Sequence, residues 1–308
     1  MTGPRLPLPT RRRAAVAVGL AAALLVTACG DDEPAGTVPD ETLPPVEDDD
    51  GDDDPDGDEH AFPTGADDVV LRIAYEGGFV PVDVAFRDLP AVLVTGDGRV
   101  FQEGPTIAVY PGPLLPNIQV RTISEEGIED LLALAEQHDL FTEQTYDGPD
   151  NVADAPDTVV EIAIGADGGT VEHRAYALGL DGGPGGSEPE TDPGREALAS
   201  FVEAATELVT GPADDVLGPE EPYEPDAYRI RAAVATDDGT TDDGLEPTEA
   251  DWPADASVRL ADATECAIVP ADEVGEVFAA ADQLTRFVDE GVAYEVFVAP
   301  VLPGQDGC

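Results

Sequence analysis

Ile118-Gln119-Val120-Arg121-Thr122-Ile123-Ser124-Glu125-Glu126-Gly127-Ile128-Glu129-Asp130-Leu131-Leu132-Ala133-Leu134-Ala135 changes its hydrophobic period midway. From Ile118 to Ile123 the side chains alternate with the two-residue period of a half-buried strand. Ser124 can then offer its hydroxyl oxygen to the unpaired N–H groups of a helix start. Glu125 and Glu126 lie where the positive end of the helix dipole favours acid. Ile128, Leu131, Leu132 and Ala135 recur at helical spacing and form the buried stripe. A one-faced strand running straight into a one-faced helix predicts an α+β fold, with helices packed on an antiparallel sheet.

The same reading extends in both directions. Val69 to Tyr75 reads as a strand, Gly77-Gly78 as a turn and Val82 to Phe86 as a second strand; order is expected to begin near Val69. Leu93 to Thr95 and Arg99 to Phe101 flank Gly96-Asp97-Gly98, a tight hairpin, and Val159 to Ile164 and Val171 to Tyr176 flank Gly168-Gly169 in the same way. Gly179 to Gly186 reads as a flexible loop. Asp192-Pro193 opens a helix with Leu198, Phe201, Val202, Ala205 and Leu208 on one face, and Gly211-Pro212 stops it. Pro212 to Asp226, with four prolines and six acidic residues, reads as a linker between a domain at 67–211 and a smaller α+β unit at 227–308. In that unit Tyr228 to Val234, Cys266 to Val269 and Val292 to Val298 are expected strands, and Ala271 to Ala281 a helix. A shift of 146 residues lays Ile128, Leu131, Leu132, Ala135, Gln137 and Phe141 on Val274, Val277, Phe278, Ala281, Gln283 and Phe287, which raises an internal duplication of two small sheet-and-helix units.

The first 59 residues are of a different kind. Arg11-Arg12-Arg13 precedes an apolar run of 13 residues, Ala14 to Val26, and Thr27-Ala28-Cys29-Gly30 follows. This order of charge, short apolar core and small residues is that of an export signal, 1–28, with Cys29 at a bacterial lipobox where it takes lipid and becomes the mature N-terminus. The run is short of the roughly 20 residues that a membrane-spanning helix needs. Ordinary secretion with an incidental Cys29 is the alternative. Two or more acyl chains, palmitate among them, would give stable anchoring at the outer face of the cytoplasmic membrane. Residues 29–66, rich in Pro, Asp, Glu and Gly, lack the apolar surface to offset their ordering entropy and read as a disordered acidic tether. Read as an EF-hand loop from Asp52, this stretch has Pro63 where the bidentate Glu is required, so no metal site is expected there.

Four of the 14 arginines and none of the 67 acidic residues precede Cys29, and lysine is absent, so the chain from Cys29 carries a formal charge of −57. Fifteen of the acidic residues lie in Asp31 to Glu59, leaving 52 acidic and 10 basic residues from His60 onward, a net −42. Self-repulsion on that scale disfavours a compact state unless salt screens it, which suggests adaptation to a saline exterior. It excludes nucleic acid as a partner and favours a cation or a basic protein.

With Cys29 given to lipid, Cys266 and Cys308 remain to pair as a disulfide in an exported protein. His60, His138 and His173 stand apart from one another, no zinc spacing occurs, and Gly185-Gly186-Ser187-Glu188-Pro189 misses the nucleophile elbow at its last position. No catalytic residue and no cofactor is expected. Tyr110-Pro111-Gly112-Pro113-Leu114-Leu115-Pro116-Asn117 is a stiff apolar loop that either covers a sheet end or presents Tyr110 and Leu114 to a partner. Arg121, before the helix, is a further candidate contact, with an ion pair as its plainer role.

Ile107 to Arg121, with Asn151-Val152-Ala153-Asp154-Ala155-Pro156, Asp282-Gln283-Leu284-Thr285-Arg286-Phe287 and Pro300-Val301-Leu302-Pro303, resembles a widespread group of actinobacterial lipoproteins without an established activity. The resemblance implies a surface lipoprotein and carries over no functional residues. The leading expectation is a membrane-anchored, non-catalytic binding or interaction module. A carboxylate-dependent extracytoplasmic hydrolase and a structural envelope protein are the alternatives.

Overall fold

A computed structural model describes residues 60–150, 152–180, 192–211, 217–236, 244–305 and 307–308. The export signal, Cys29 and the acidic stretch to Glu59 lie outside the described residues. So do most of the loop expected at Gly179 to Gly186 and the start of the expected linker.

The chain order is β1 (Val69–Glu76), α1 (Val82–Phe86), β2 (Val92–Thr95), β3 (Arg99–Glu103), β4 (Ile118–Thr122), α2 (Glu125–Gln137), β5 (Asp157–Ile164), β6 (Gly169–Tyr176) and α3 (Pro193–Thr210). Then follow β7 (Glu221–Pro222), β8 (Ala227–Val234), β9 (Glu249–Asp251), a 3-10 turn at Leu260–Asp262, β10 (Ala267–Pro270), α4 (Ala271–Ala279), β11 (Arg286–Asp289) and β12 (Val292–Pro300). The strands form two sheets, of order β6-β5-β1-β2-β3-β4-β7 and β10-β8-β12-β11-β9, with few helices. The first is antiparallel throughout. The second departs from the antiparallel arrangement expected from sequence, because β9 runs parallel to β11.

The period change at Ser124 appears as anticipated. The Ser124 hydroxyl accepts from the Gly127 N–H at 3.1 Å, and Ile128, Leu131, Leu132 and Ala135 are buried. Asp192 caps α3 through the Gly194 N–H at 2.9 Å. Both helices lie on one face of the first sheet. Their stripes meet Ile73, Val92, Val94, Val160 and Ile162 in one core that includes Leu198 and Phe201. The other face is covered where Leu93, Phe101 and Ile118 pack on Leu302. All four residues of β2 are therefore buried, because alternate side chains point into different cores.

The second sheet packs Tyr228, Ile230, Val296 and Val298 on α4 and Trp252. Phe278 sits at its middle, ringed by Tyr228, Trp252 and Phe287 at centroid distances of 5.4, 5.8 and 5.6 Å. Cys266 and Cys308 stand at disulfide distance, with Cα atoms 5.8 Å apart.

Three local expectations change. Val82 to Phe86 is a helix, not a strand: both edges of β1 are taken by β2 and β5, so its alternating pattern finds no ladder to join. Packing begins before Val69, since Phe62 joins the first core and the Arg99 guanidinium donates to Ala66 O at 2.8 Å. Gly96 permits this approach, because a Cβ there would overlap the Pro63 carbonyl. Within Pro212 to Asp226, Glu221–Pro222 pairs with β4 and Tyr223 meets Phe101 edge-on at 5.0 Å.

Candidate binding surfaces

The loop from Ile107 to Asn117 leaves the first sheet and braces the second. Leu114 N–H donates to Ala281 O at 3.1 Å, Gln283 N–H to Gly112 O at 3.0 Å, and Gly112 N–H to Gln283 Oε1 at 3.2 Å. Leu114, 5% exposed, belongs to the second core and is not available to a partner. Tyr110 remains 54% exposed, with Ile107 and Val109 also exposed beside it in sequence. Arg121 makes no ion pair among the described residues. Its guanidinium donates to Gly218 O at 3.0 Å and Gly211 O at 3.4 Å, tying β4 to the segment after α3. The structure thus does not gather Tyr110, Leu114 and Arg121 into one site.

A second apolar surface escaped the sequence reading because it looked like a strand. After the turn at Gly77 and Gly78, both at positive φ, Phe79 and Val80 just before α1 and Val82 and Val84 within it are exposed, and Phe79 is 87% exposed. The helix is held from its inner side. Phe86 lies under the Arg229 guanidinium at 5.5 Å, and Arg229 donates to Asp88 O at 2.9 Å. Burial lowers the Arg229 pKa and raises that of Asp88, while attraction between the two opposes both shifts.

Arg229 also lines a polar cleft of about 400 Å³ with Arg72, Glu76 and Glu161. Arg72 is held by Glu76 at 2.6 Å and Glu161 at 3.0 Å. Arg174 reaches Glu76 at 2.8 Å, Asp157 at 3.3 Å and Glu172 at 3.4 Å. Burial alone would raise the Glu76 pKa, but hydrogen bonds from Arg72 and Arg174 outweigh it and leave the carboxyl below its ordinary range. Arg72 and Glu161 are cross-strand partners, as are Glu161 and Glu172, so this network laces β1, β5 and β6 on the face away from the helices. Its two arginines are shared among four carboxylates, and it works as a structural seam.

An open groove of about 560 Å³ lies where α3 crosses the ends of β1 and β5. Its floor holds Tyr75, Thr158 and Leu178, and its wall is the flank of α3: Ala199, Val202, Glu203, Thr206, Glu207 and Thr210. Tyr75 and Thr158 are directly paired across β1 and β5. Spacings of three and four residues put the α3 members on one side of the helix, beside the stripe of Leu198, Phe201, Ala205 and Val209 that faces the core. Helical spacing from Ala199 to Thr210 was the available signal, but nothing in the sequence says which strand ends lie opposite.

The histidines serve packing. His173 is fully buried, with Tyr146 Oη at 2.8 Å from Nδ1 and Leu140 O at 2.8 Å from Nε2. His138 ends α2 edge-on to Phe201, and His60 stacks by Phe141, 3.7 Å from Glu136. Among the described residues no group of three His, Cys, Asp or Glu could hold a metal ion, and no helix is long and apolar enough to cross a membrane. Comparison with protein-family models, with curated proteins and with solved structures finds no match.

Proposed function

We propose that the chain is an acidic interaction module, held at the outer face of the cytoplasmic membrane by lipid on Cys29 and raised from it by the acidic segment that follows. The observation that carries the binding role is the exposed apolar run that leads into α1. Phe79, Val80, Val82 and Val84 face solvent, and Phe79 at 87% is the most exposed of the large apolar side chains among the described residues, ahead of Ile107 in the second exposed run, Ile107 to Tyr110. Contiguous exposed apolar surface with charged surroundings marks interaction sites. A net charge of −42 from His60 onward makes a basic protein the partner that electrostatics would steer to this surface. The likeness to actinobacterial lipoproteins supports the location and adds nothing about the partner.

The test places a photo-crosslinking amino acid at Phe79 in cells and, as a control, at Glu129 on the exposed side of α2. The proposal expects a basic protein captured from Phe79 alone and lost with Val82→Asp. Identical products from both positions would sink it. Cys29→Ala should move the protein from the membrane to the aqueous fraction, and retention in the membrane would overturn the anchor.

The proposed internal duplication rests on the two strand-to-helix joins, β4 to α2 and β10 to α4. The hairpins that follow dock differently: β5, the first strand of its pair, lies on β1, whereas β12, the second of its pair, lies on β8.

A further inference from the structure

The groove between α3 and the ends of β1 and β5 combines three properties that no other concavity described above shares. Its surface is mainly apolar, from Tyr75, Leu178, Ala199 and Val202. Its rim carries two carboxylates, Glu203 and Glu207, one helical turn apart on the exposed side of α3. Its floor contains Thr158, 3% exposed, which lines the groove and makes no side-chain hydrogen bond to another described residue, and whose hydroxyl is not sealed from solvent.

Each property selects ligand chemistry. Two like charges one turn apart disfavour each other, and among the described residues neither Glu203 nor Glu207 is in an ion pair. This contrasts with Glu76, Glu161, Glu172 and Asp157, each met by Arg72 or Arg174. No arginine lines the groove. A cation seated there would relieve the repulsion. The half-exposed ring of Tyr75 adds a face on which a cation or a flat apolar group is favoured. The Thr158 hydroxyl, uncommitted to any other described side chain and reached only from the groove, is free to pair with a hydrogen-bonding group of a ligand seated there. The volume of about 560 Å³ suits a small molecule rather than a metal ion or a folded partner.

We infer that this groove is a binding site for a small organic cation: an ammonium group at Glu203 and Glu207, an apolar body over Tyr75, Leu178 and Val202, and a hydrogen-bonding group at Thr158. This deepens the reading of the chain as a binding module but uses a different surface from α1, so either can fail alone.

The experiment titrates tyramine into the full-length protein in non-ionic detergent at near-physiological salt and reads binding by calorimetry. Its neutral counterpart, in which a hydroxyl replaces the ammonium, is titrated alongside. The inference expects saturable one-site binding of tyramine, and binding of the neutral analogue weaker by about tenfold or more. The double variant Glu203→Gln/Glu207→Gln, on exposed positions that leave the core untouched, should weaken tyramine by about tenfold. Thr158→Val should weaken tyramine several-fold while leaving 2-phenylethylamine, which lacks the phenol, unaffected. Ala199→Trp should block the site. The control Glu129→Gln/Asp130→Asn removes the same charge from α2. Equal loss in that control would mean that tyramine follows net charge alone and would overturn the inference. So would absence of saturable binding, or full affinity in Ala199→Trp. Crosslinking from Phe79 should be unchanged by the Glu203 and Glu207 substitutions, which separates failure of this site from failure of the protein-binding role.

Discussion

Tyr146 donates its hydroxyl proton to Nδ1 of His173 at 2.8 Å, inside the first core. The direction is that of the tautomer with its hydrogen on Nε2. Leu140 O can only accept, so Nε2 carries the hydrogen in the 2.8 Å contact to it and Nδ1 is left as an acceptor. The imidazole thereby bridges β6 and the segment that follows α2. Burial, followed by the charge of Asp192, pushes the Tyr146 pKa up to about 12, so the phenol keeps the proton it donates.

Tyr146→Phe should leave Nδ1 of His173 unpaired and cost about 1–3 kcal/mol of stability, read from the urea midpoint. An unchanged midpoint would remove the bridge from the account. The wild type should also lose stability as pH rises from the ordinary tyrosine value of 10 towards about 12. In that window the unfolded chain has released the phenolic proton and the folded chain retains it. The alkaline slope should be shallower in Tyr146→Phe, though not flat, because burial raises Tyr223 and Tyr228 as well.

Glu76 has the opposite sign. Its folded-state pKa lies below the ordinary 4.5, so its contribution is present above that value and is lost as pH falls through the folded-state value. Melting temperature should fall on acidification below about pH 4.5, and Glu76→Gln should flatten part of that fall. Parallel acid profiles for the two proteins would show that the seam of Arg72 and Arg174 does not couple to folding.

Cys266 and Cys308 are 42 residues apart in sequence. Closing a loop of that size contributes about 4 kcal/mol through the unfolded state in the chain-entropy account, less any native strain. Cys308→Ser should therefore lower the denaturant midpoint without changing its slope strongly. Loss of less than about 1 kcal/mol would mean that the native contacts of Val301 and Leu302 already hold this segment.

Charge should make stability depend on salt. With 52 acidic and 10 basic residues from His60 onward, lowering the ionic strength lengthens the range of self-repulsion. The melting temperature of the full chain should fall as salt is withdrawn, and sodium chloride and potassium chloride should restore it equally. A melting temperature independent of salt would count against saline adaptation.

What was legible in the sequence was what is local. Ser124 and Asp192 cap their helices, and the turns at Gly98 and Gly168 sit between paired strands, because each depends on a few neighbouring side chains. The failures are all questions of what lies opposite. Val82 to Phe86 has a strand's alternation, but β1 has no free edge to receive it. Leu114 is apolar in an apolar loop, and only the approach of Ala281 turns it inward. Arg121 meets carbonyls instead of acids in a chain crowded with carboxylates. The groove was illegible for the same reason: Tyr75 and Thr158 are distant in sequence from α3, and their meeting is a product of strand order.

Leu302 packs on Leu93, Phe101 and Ile118, and Val301 O accepts from the Tyr223 hydroxyl at 3.1 Å. The outer face of the first sheet is therefore finished by residues about two hundred positions downstream of it. During synthesis that face lacks part of its cover until Leu302 has emerged, however soon β1 to β6 have paired. Closure of this face is set by the arrival of a short late segment, and a chain halted before it would be recognisable by a Phe101 with Tyr223 beside it but no Leu302.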